Sequence, residues 1–107
     1  MPLDTSSFGR AIASARKQLQ ISQKDLASKI LKEDGEPITP QYLNDIEHDK
    51  RTPSSDHLVQ QFATVLGLNA DILYWLAGRV PGDIVKAGVS PEKIGVAFTA
   101  FRSALKG

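Results

Sequence analysis

Apolar residues along this chain recur three and four apart in short runs, and most runs end at a glycine or a polar turn. Phe8, Ile12, Ala15 and Leu19 make the first stripe, with Arg10, Lys17 and Gln18 on other faces, so a helix is expected over about residues 6–20. Leu26, Ala27 and Ile30 place a second helix over about 23–31. The polar stretch 32–37, Lys-Glu-Asp-Gly-Glu-Pro, then reads as a loop with turn chemistry. A third helix follows over about 40–48. A basic turn, Asp49 to Pro53, separates it from a fourth over about 54–66, where Leu58, Phe62, Val65 and Leu66 face inward and Gly67 closes the helix. A fifth helix spans about 70–77 and stops at Gly78; Pro81 and Gly82 mark a joint; a short helical turn fits 83–87, and a last helix runs over about 91–105. No alternating strand period and no internal repeat is present, so the expected class is all-α.

Helix starts are legible because the same local code recurs. Ser22 suits an N-cap, Asp25 stands three residues on as its box partner, and Ile21 and Leu26 occupy the two positions of a hydrophobic staple. Ile38, Thr39, Pro40 and Leu43 repeat the pattern, with proline at the first helical position, where its missing N–H is harmless. Leu68, Asn69 and Leu73 repeat it again, as do Val89, Ser90, Pro91 and Ile94.

Length and composition narrow the picture. A chain of 107 residues is one domain with an appendage, divided here as residues 1–80 and a C-terminal extension over 81–107. It has no cysteine, so neither disulfides nor thiolate metal sites hold it together, which suits a reducing cytoplasm. No apolar run approaches the roughly 18 residues of a membrane span, and no signal-peptide core is present, so no membrane partner is expected. The net charge is only +1, so any nucleic-acid binding must come from local placement of charge.

That placement is found around the third helix. Leu43 and Ile46 must face the core, which puts Glu47 at its edge. A carboxylate there needs a partner, because a lone buried charge costs several kcal/mol. Arg16, four residues beyond Ile12 on the first helix, is the expected partner. The opposite face carries Gln41, Asn44, Asp45 and His48 at i, i+3, i+4 and i+7. Glutamine and asparagine can bond adenine bidentately and aspartate can accept from the cytosine amino group, with Tyr42 flanking them to touch a thymine methyl or a phosphate. A merely solvated face is the commoner fate of such residues. Here Lys50 and Arg51 follow at once, where a phosphate strand would pass, and Gln23 and Lys24 open the second helix, whose N-terminus suits a phosphate. The second and third helices together have the layout of a helix-turn-helix.

The set Ser22-Gln23-x-x-Leu26-Ala27, Ile38-Thr39-x-x-x-Leu43-x-x-Ile46-Glu47 and Lys50-Arg51-x-Pro53-Ser54 resembles the lambda-repressor-like, or Xre-type, helix-turn-helix regulators over about Phe8 to Leu76. The resemblance implies a bundle of about five helices, Gln23 on a phosphate, and Gln41, Asn44 and Asp45 at base-reading positions. An Arg16–Glu47 pair also looks like one seen in that family. Three departures stand out. The turn between the two helices is several residues longer than the usual three or so, and its acids Glu33, Asp34 and Glu36 are expected to point away from DNA. Pro40 replaces a position that often reads a base. Asp49 stands where glycine commonly ends the recognition helix, although aspartate tolerates the left-handed conformation.

Beyond this motif, Ile72 to Leu76 is apolar all round and needs cover on more than one face. If Ile72, Leu73 and Leu76 serve the core, Tyr74 and Trp75 look outward. The last helix offers a stripe of Ile94, Ala97, Phe98, Phe101 and Leu105. Either it folds back over Tyr74 and Trp75, or it pairs with its copy, which makes Tyr74, Trp75, Ile94, Phe98 and Phe101 the expected dimer interface. His48 and His57 each neighbour an aspartate, but sequence neighbours on a helix do not face each other. No metal-ligand spacing, phosphate loop or nucleophile elbow is present, so no enzyme, cofactor or metal is expected. The reading is a cytoplasmic prokaryotic repressor that binds double-stranded DNA at a palindromic operator as a homodimer. The alternative is an antitoxin or adaptor that uses the same fold to grip a partner protein.

Overall fold

A computed structural model of the chain describes residues 3–107, and its regular structure is helical apart from an isolated antiparallel bridge between Leu31 and Pro37. The helices are α1 (Phe8–Gln18), α2 (Gln23–Lys29), α3 (Pro40–Glu47), α4 (Asp56–Leu66), α5 (Ala70–Ala77), α6 (Gly82–Lys86) and α7 (Pro91–Lys106). Ser22, Thr39, Asn69 and Ser90 each cap a helix with a side-chain oxygen that accepts a backbone N–H of the first turn. Ser7 and Ser55 do the same for α1 and α4, two caps without a staple beside them to announce them.

The core of the first five helices is built from Phe8, Ile12, Leu26, Leu43, Ile46, Leu58, Val59, Phe62, Leu66 and Leu73, joined by Ile30 and Ile38 from the connection between α2 and α3. Phe8 meets Phe62 edge to face at 5.9 Å, which fastens α1 to α4. Leu19, expected at the end of the first stripe, is 51% exposed, because α1 stops at Gln18 and Gln20 turns the chain with φ +59°.

The second helix also ends early, and the reason shapes the motif. Ile30 is extended rather than helical, and its carbonyl accepts the Ile38 N–H at 2.9 Å. Lys32 donates to the Glu36 carbonyl at 2.8 Å, and Gly35 makes the turn at φ +87°. The expected loop is thus a small hairpin. Ile30 and Ile38 sink into the core at its base, while α4 holds its edge: Gln61 Oε1 accepts the Leu31 N–H at 3.0 Å, and His57 Nε2 donates to the Leu31 carbonyl at 2.9 Å.

α5 is rolled relative to the expected orientation. Ile72 is 40% exposed and Tyr74 only 3%. Tyrosine can be buried here because its hydroxyl accepts from Gln60 Nε2 at 3.2 Å and donates to the Asp56 carbonyl at 3.5 Å. Tyr74 therefore belongs to the core, which corrects its expected place at a dimer interface. The joint after α5 is fastened to the start of α4: Arg79 pairs with Asp56 at 3.0 Å, and Gly82 lies so close to the Asp56 carboxylate that a Cβ would collide with it. α6 and α7 contain no buried residue; α7 meets α5 where Phe101 packs against Trp75 at 5.5 Å.

Candidate nucleic-acid interface

Two clamps hold α3 in place. Arg16 grips Glu47 with two hydrogen bonds, Nε to Oε2 at 2.7 Å and Nη2 to Oε1 at 3.0 Å, and donates a third from Nη1 to the Ile21 carbonyl at 3.0 Å. Glu47 is buried, and its carboxylate pushes the Arg16 pKa further up, so the guanidinium stays charged. Gln23, expected on a phosphate, has its side chain in this clamp. Gln23 Nε2 donates to Glu47 Oε1 at 2.9 Å and to Asn44 Oδ1 at 3.2 Å, so the start of α2 is tied to the middle of α3.

The second clamp was not legible in the sequence. α3 ends in a Schellman arrangement, with Asp49 N–H on the Ile46 carbonyl and Lys50 N–H on the Asp45 carbonyl, and Asp49 itself at φ +59°. From there the Asp49 carboxylate accepts the Gly9 N–H at 3.0 Å and the Ser7 hydroxyl at 2.7 Å. A negative group thus caps the N-terminus of α1, where the helix dipole favours it. Gly9 is required at this contact: a Cβ there would collide with the Ile46 and Glu47 carbonyls. Asp49 in the usual glycine position is visible in the sequence, but only the fold brings residues 9 and 49 together.

The clamped helix presents Gln41, Asn44, Asp45 and His48 along one side, with Gln41 and His48 exposed and Asn44 and Asp45 half-buried. Gln41 Nε2 donates to Asp45 Oδ1 at 2.9 Å. Arg51 reaches back from the turn to pair with Asp45 Oδ2 at 3.5 Å and lies over the Tyr42 ring at 5.7 Å. The Tyr42 hydroxyl is buried and has no hydrogen-bond partner, so Tyr42 presents its ring rather than its polar tip. Lys24 and Lys50 are exposed. A family model described as helix-turn-helix matches residues 12–73, which contain both clamps' α3 partners and the whole reading face.

The chain belongs to the helix-turn-helix family of Xre/lambda-repressor type. It is therefore a DNA-binding regulator by family, and its all-helical architecture agrees. No curated protein and no solved structure shows a significant match to the chain. Among the described residues no helix is long and apolar enough to cross a membrane.

Against this helix-turn-helix frame the long connection acquires a definite position. A groove of about 970 Å³ runs between the hairpin and the turn after α3, with Lys32, Glu33 and Asp34 on one wall and Lys50, Arg51 and Thr52 on the other. The acids therefore stand across a groove from the basic turn. The remaining expected interface residues lie apart from α3. Trp75, Ile94, Phe98 and Phe101 are all exposed on α5 and α7.

Proposed function

We propose that this helix-turn-helix protein is a sequence-specific transcriptional repressor, acting in the cytoplasm of a prokaryote on a palindromic operator as a homodimer. The observation that carries the reading is the rigid mounting of α3. A helix clamped at Glu47 and Asp49 holds Gln41 and Asn44 in fixed register, which is what base recognition in a major groove requires. Asn44 keeps its amide nitrogen for a base even though its oxygen accepts from Gln23. Lys24 and Lys50 flank the helix and supply phosphate contacts. One such unit makes few contacts, so two copies about 34 Å apart on one face of the duplex gain affinity and call for an inverted repeat. The apolar surface of Trp75, Ile94, Phe98 and Phe101 is suited to joining them.

The test is to recover and sequence the genomic fragments the full chain retains at moderate salt, then to measure binding to the recovered site across a salt series. The proposal expects an enriched inverted repeat and an affinity that falls steeply with salt. A second reading, a module that grips another protein, is favoured by the exposed α7. It expects no enriched sequence and no salt-dependent DNA binding.

A further inference from the structure

We propose that Arg51 reads a guanine in the major groove and that Asp45 is the residue that positions it. The proposal rests on the DNA-reading function above. Placement in a turn just after the recognition helix suggests a phosphate contact for Arg51, but its surroundings suit a different task. A phosphate contact needs a positive charge, and lysine supplies one as a flexible point charge. Arg51 instead has a neighbour on two sides. Its Nε is directed at Asp45 Oδ2 at 3.5 Å, and its guanidinium lies over the Tyr42 ring at 5.7 Å. Ring and carboxylate both draw the group toward the recognition helix. Nε faces Asp45 in an ion pair rather than a hydrogen bond, and the side chain is 61% exposed, so the donors on the two terminal nitrogens are open to a ligand. A planar fork drawn beside a recognition helix matches the O6 and N7 acceptors of guanine.

Asp45 is correspondingly poor as a reader. Its Oδ1 already accepts from Gln41 Nε2 at 2.9 Å, and Oδ2 faces Arg51. A cytosine amino group would have to share these oxygens with the two neighbours already drawn to them. The carboxylate does more for recognition by orienting its two neighbours, a glutamine amide and a guanidinium, than by touching a base. It is therefore a positioning residue, and its removal should alter the base preference at a site it does not contact.

The experiment selects binding sites from a random duplex library with the full chain and with Arg51→Ala, Arg51→Lys and Asp45→Ala, after thermal melts show that each variant folds. The expected wild-type profile contains a guanine in each half-site. Arg51→Ala and Arg51→Lys should both lose that preference, by roughly 5- to 150-fold, the range a bidentate base contact supplies. Asp45→Ala should weaken the same guanine preference while creating no change at a cytosine. If Arg51→Ala weakens all sequences alike and Arg51→Lys restores them, Arg51 is a phosphate ligand and the proposal is wrong. If Asp45→Ala erases a cytosine preference and leaves the guanine intact, Asp45 is itself a reader and its positioning role is wrong. Failure of the wild-type chain to enrich any sequence defeats the DNA-reading function itself, and with it this inference.

Discussion

Single residues carry the alignment of the recognition helix, and their costs can be ranked. Glu47 is buried with Arg16 and Gln23 bonded to it. Glu47→Ala strands the Arg16 guanidinium in a half-buried site and should destabilise the fold by about 3–5 kcal/mol, whereas replacing both partners with apolar residues of similar size should cost far less. Urea unfolding of the single and double variants checks this; equal losses would show that the pair is not buried in solution. Asp49 combines two tasks that separate under substitution. Asp49→Ala loses the acceptor for Gly9 and Ser7 and also leaves a β-carbon residue at φ +59°, for about 2 kcal/mol in total. Asp49→Gly loses only the acceptor and should cost less, because glycine adopts that conformation freely. A larger loss for glycine than for alanine would show that the backbone conformation is not what the residue supplies.

Elements bring two further constraints. α1 and α3 approach so closely at Gly9 that added bulk meets backbone carbonyls, which cannot rotate away. Gly9→Ala should therefore cost at least about 1–3 kcal/mol, the usual penalty for overpacking, and should loosen α3 on α1. Hydrogen exchange at the end of α3 would report it, and unchanged protection there would remove the close-contact argument. The hairpin is the second constraint. Glu33 and Asp34 line the groove opposite Lys50 and Arg51, so glutamine at both positions should strengthen DNA binding at low salt, with the gain shrinking as salt rises. An affinity unchanged at low salt would mean that the hairpin lies clear of the duplex.

At the scale of the whole molecule, the described chain divides into a packed bundle and an uncovered arm. Ile94, Phe98, Phe101 and Leu105 run along α7 at the four-three-four spacing of a coiled-coil seam and are each at least 43% exposed. A single chain gains little from such a helix beyond the Phe101–Trp75 contact. Deleting residues 90–107 should leave the bundle folded, because α6 and α7 contribute no buried residue to it. Under the homodimer proposal the truncated chain should sediment as a monomer and bind an operator more weakly while keeping its half-site preference. Phe98→Glu in the full chain should do the same. A chain that is monomeric at tens of micromolar, with DNA binding untouched by the deletion, would refute the dimer and assign α7 to packing within one chain.

Local chemistry is what the sequence by itself determined. Ser22, Thr39-Pro40, Asn69 and Ser90-Pro91 mark helix starts because capping depends on residues three or four apart, and Gly67 and Gly78 mark helix ends because each needs a positive φ. The stripe of Leu43 and Ile46 also oriented α3, and with it the Glu47 carboxylate that needed Arg16. Tertiary structure decided whatever depends on which distant surface an element meets. Ile30 left the helix because the core takes its side chain from a hairpin base. Tyr74 went inward and Ile72 outward because Gln60 and the Asp56 carbonyl were there to satisfy a hydroxyl. The Gln23 side chain joined a clamp because Glu47 and Asn44 lay beside it, and Asp49 found Gly9 across 40 residues of chain. Periodicity reports whether a side chain is apolar and which face it shares, but a polar side chain takes its role from the partner the fold delivers to it.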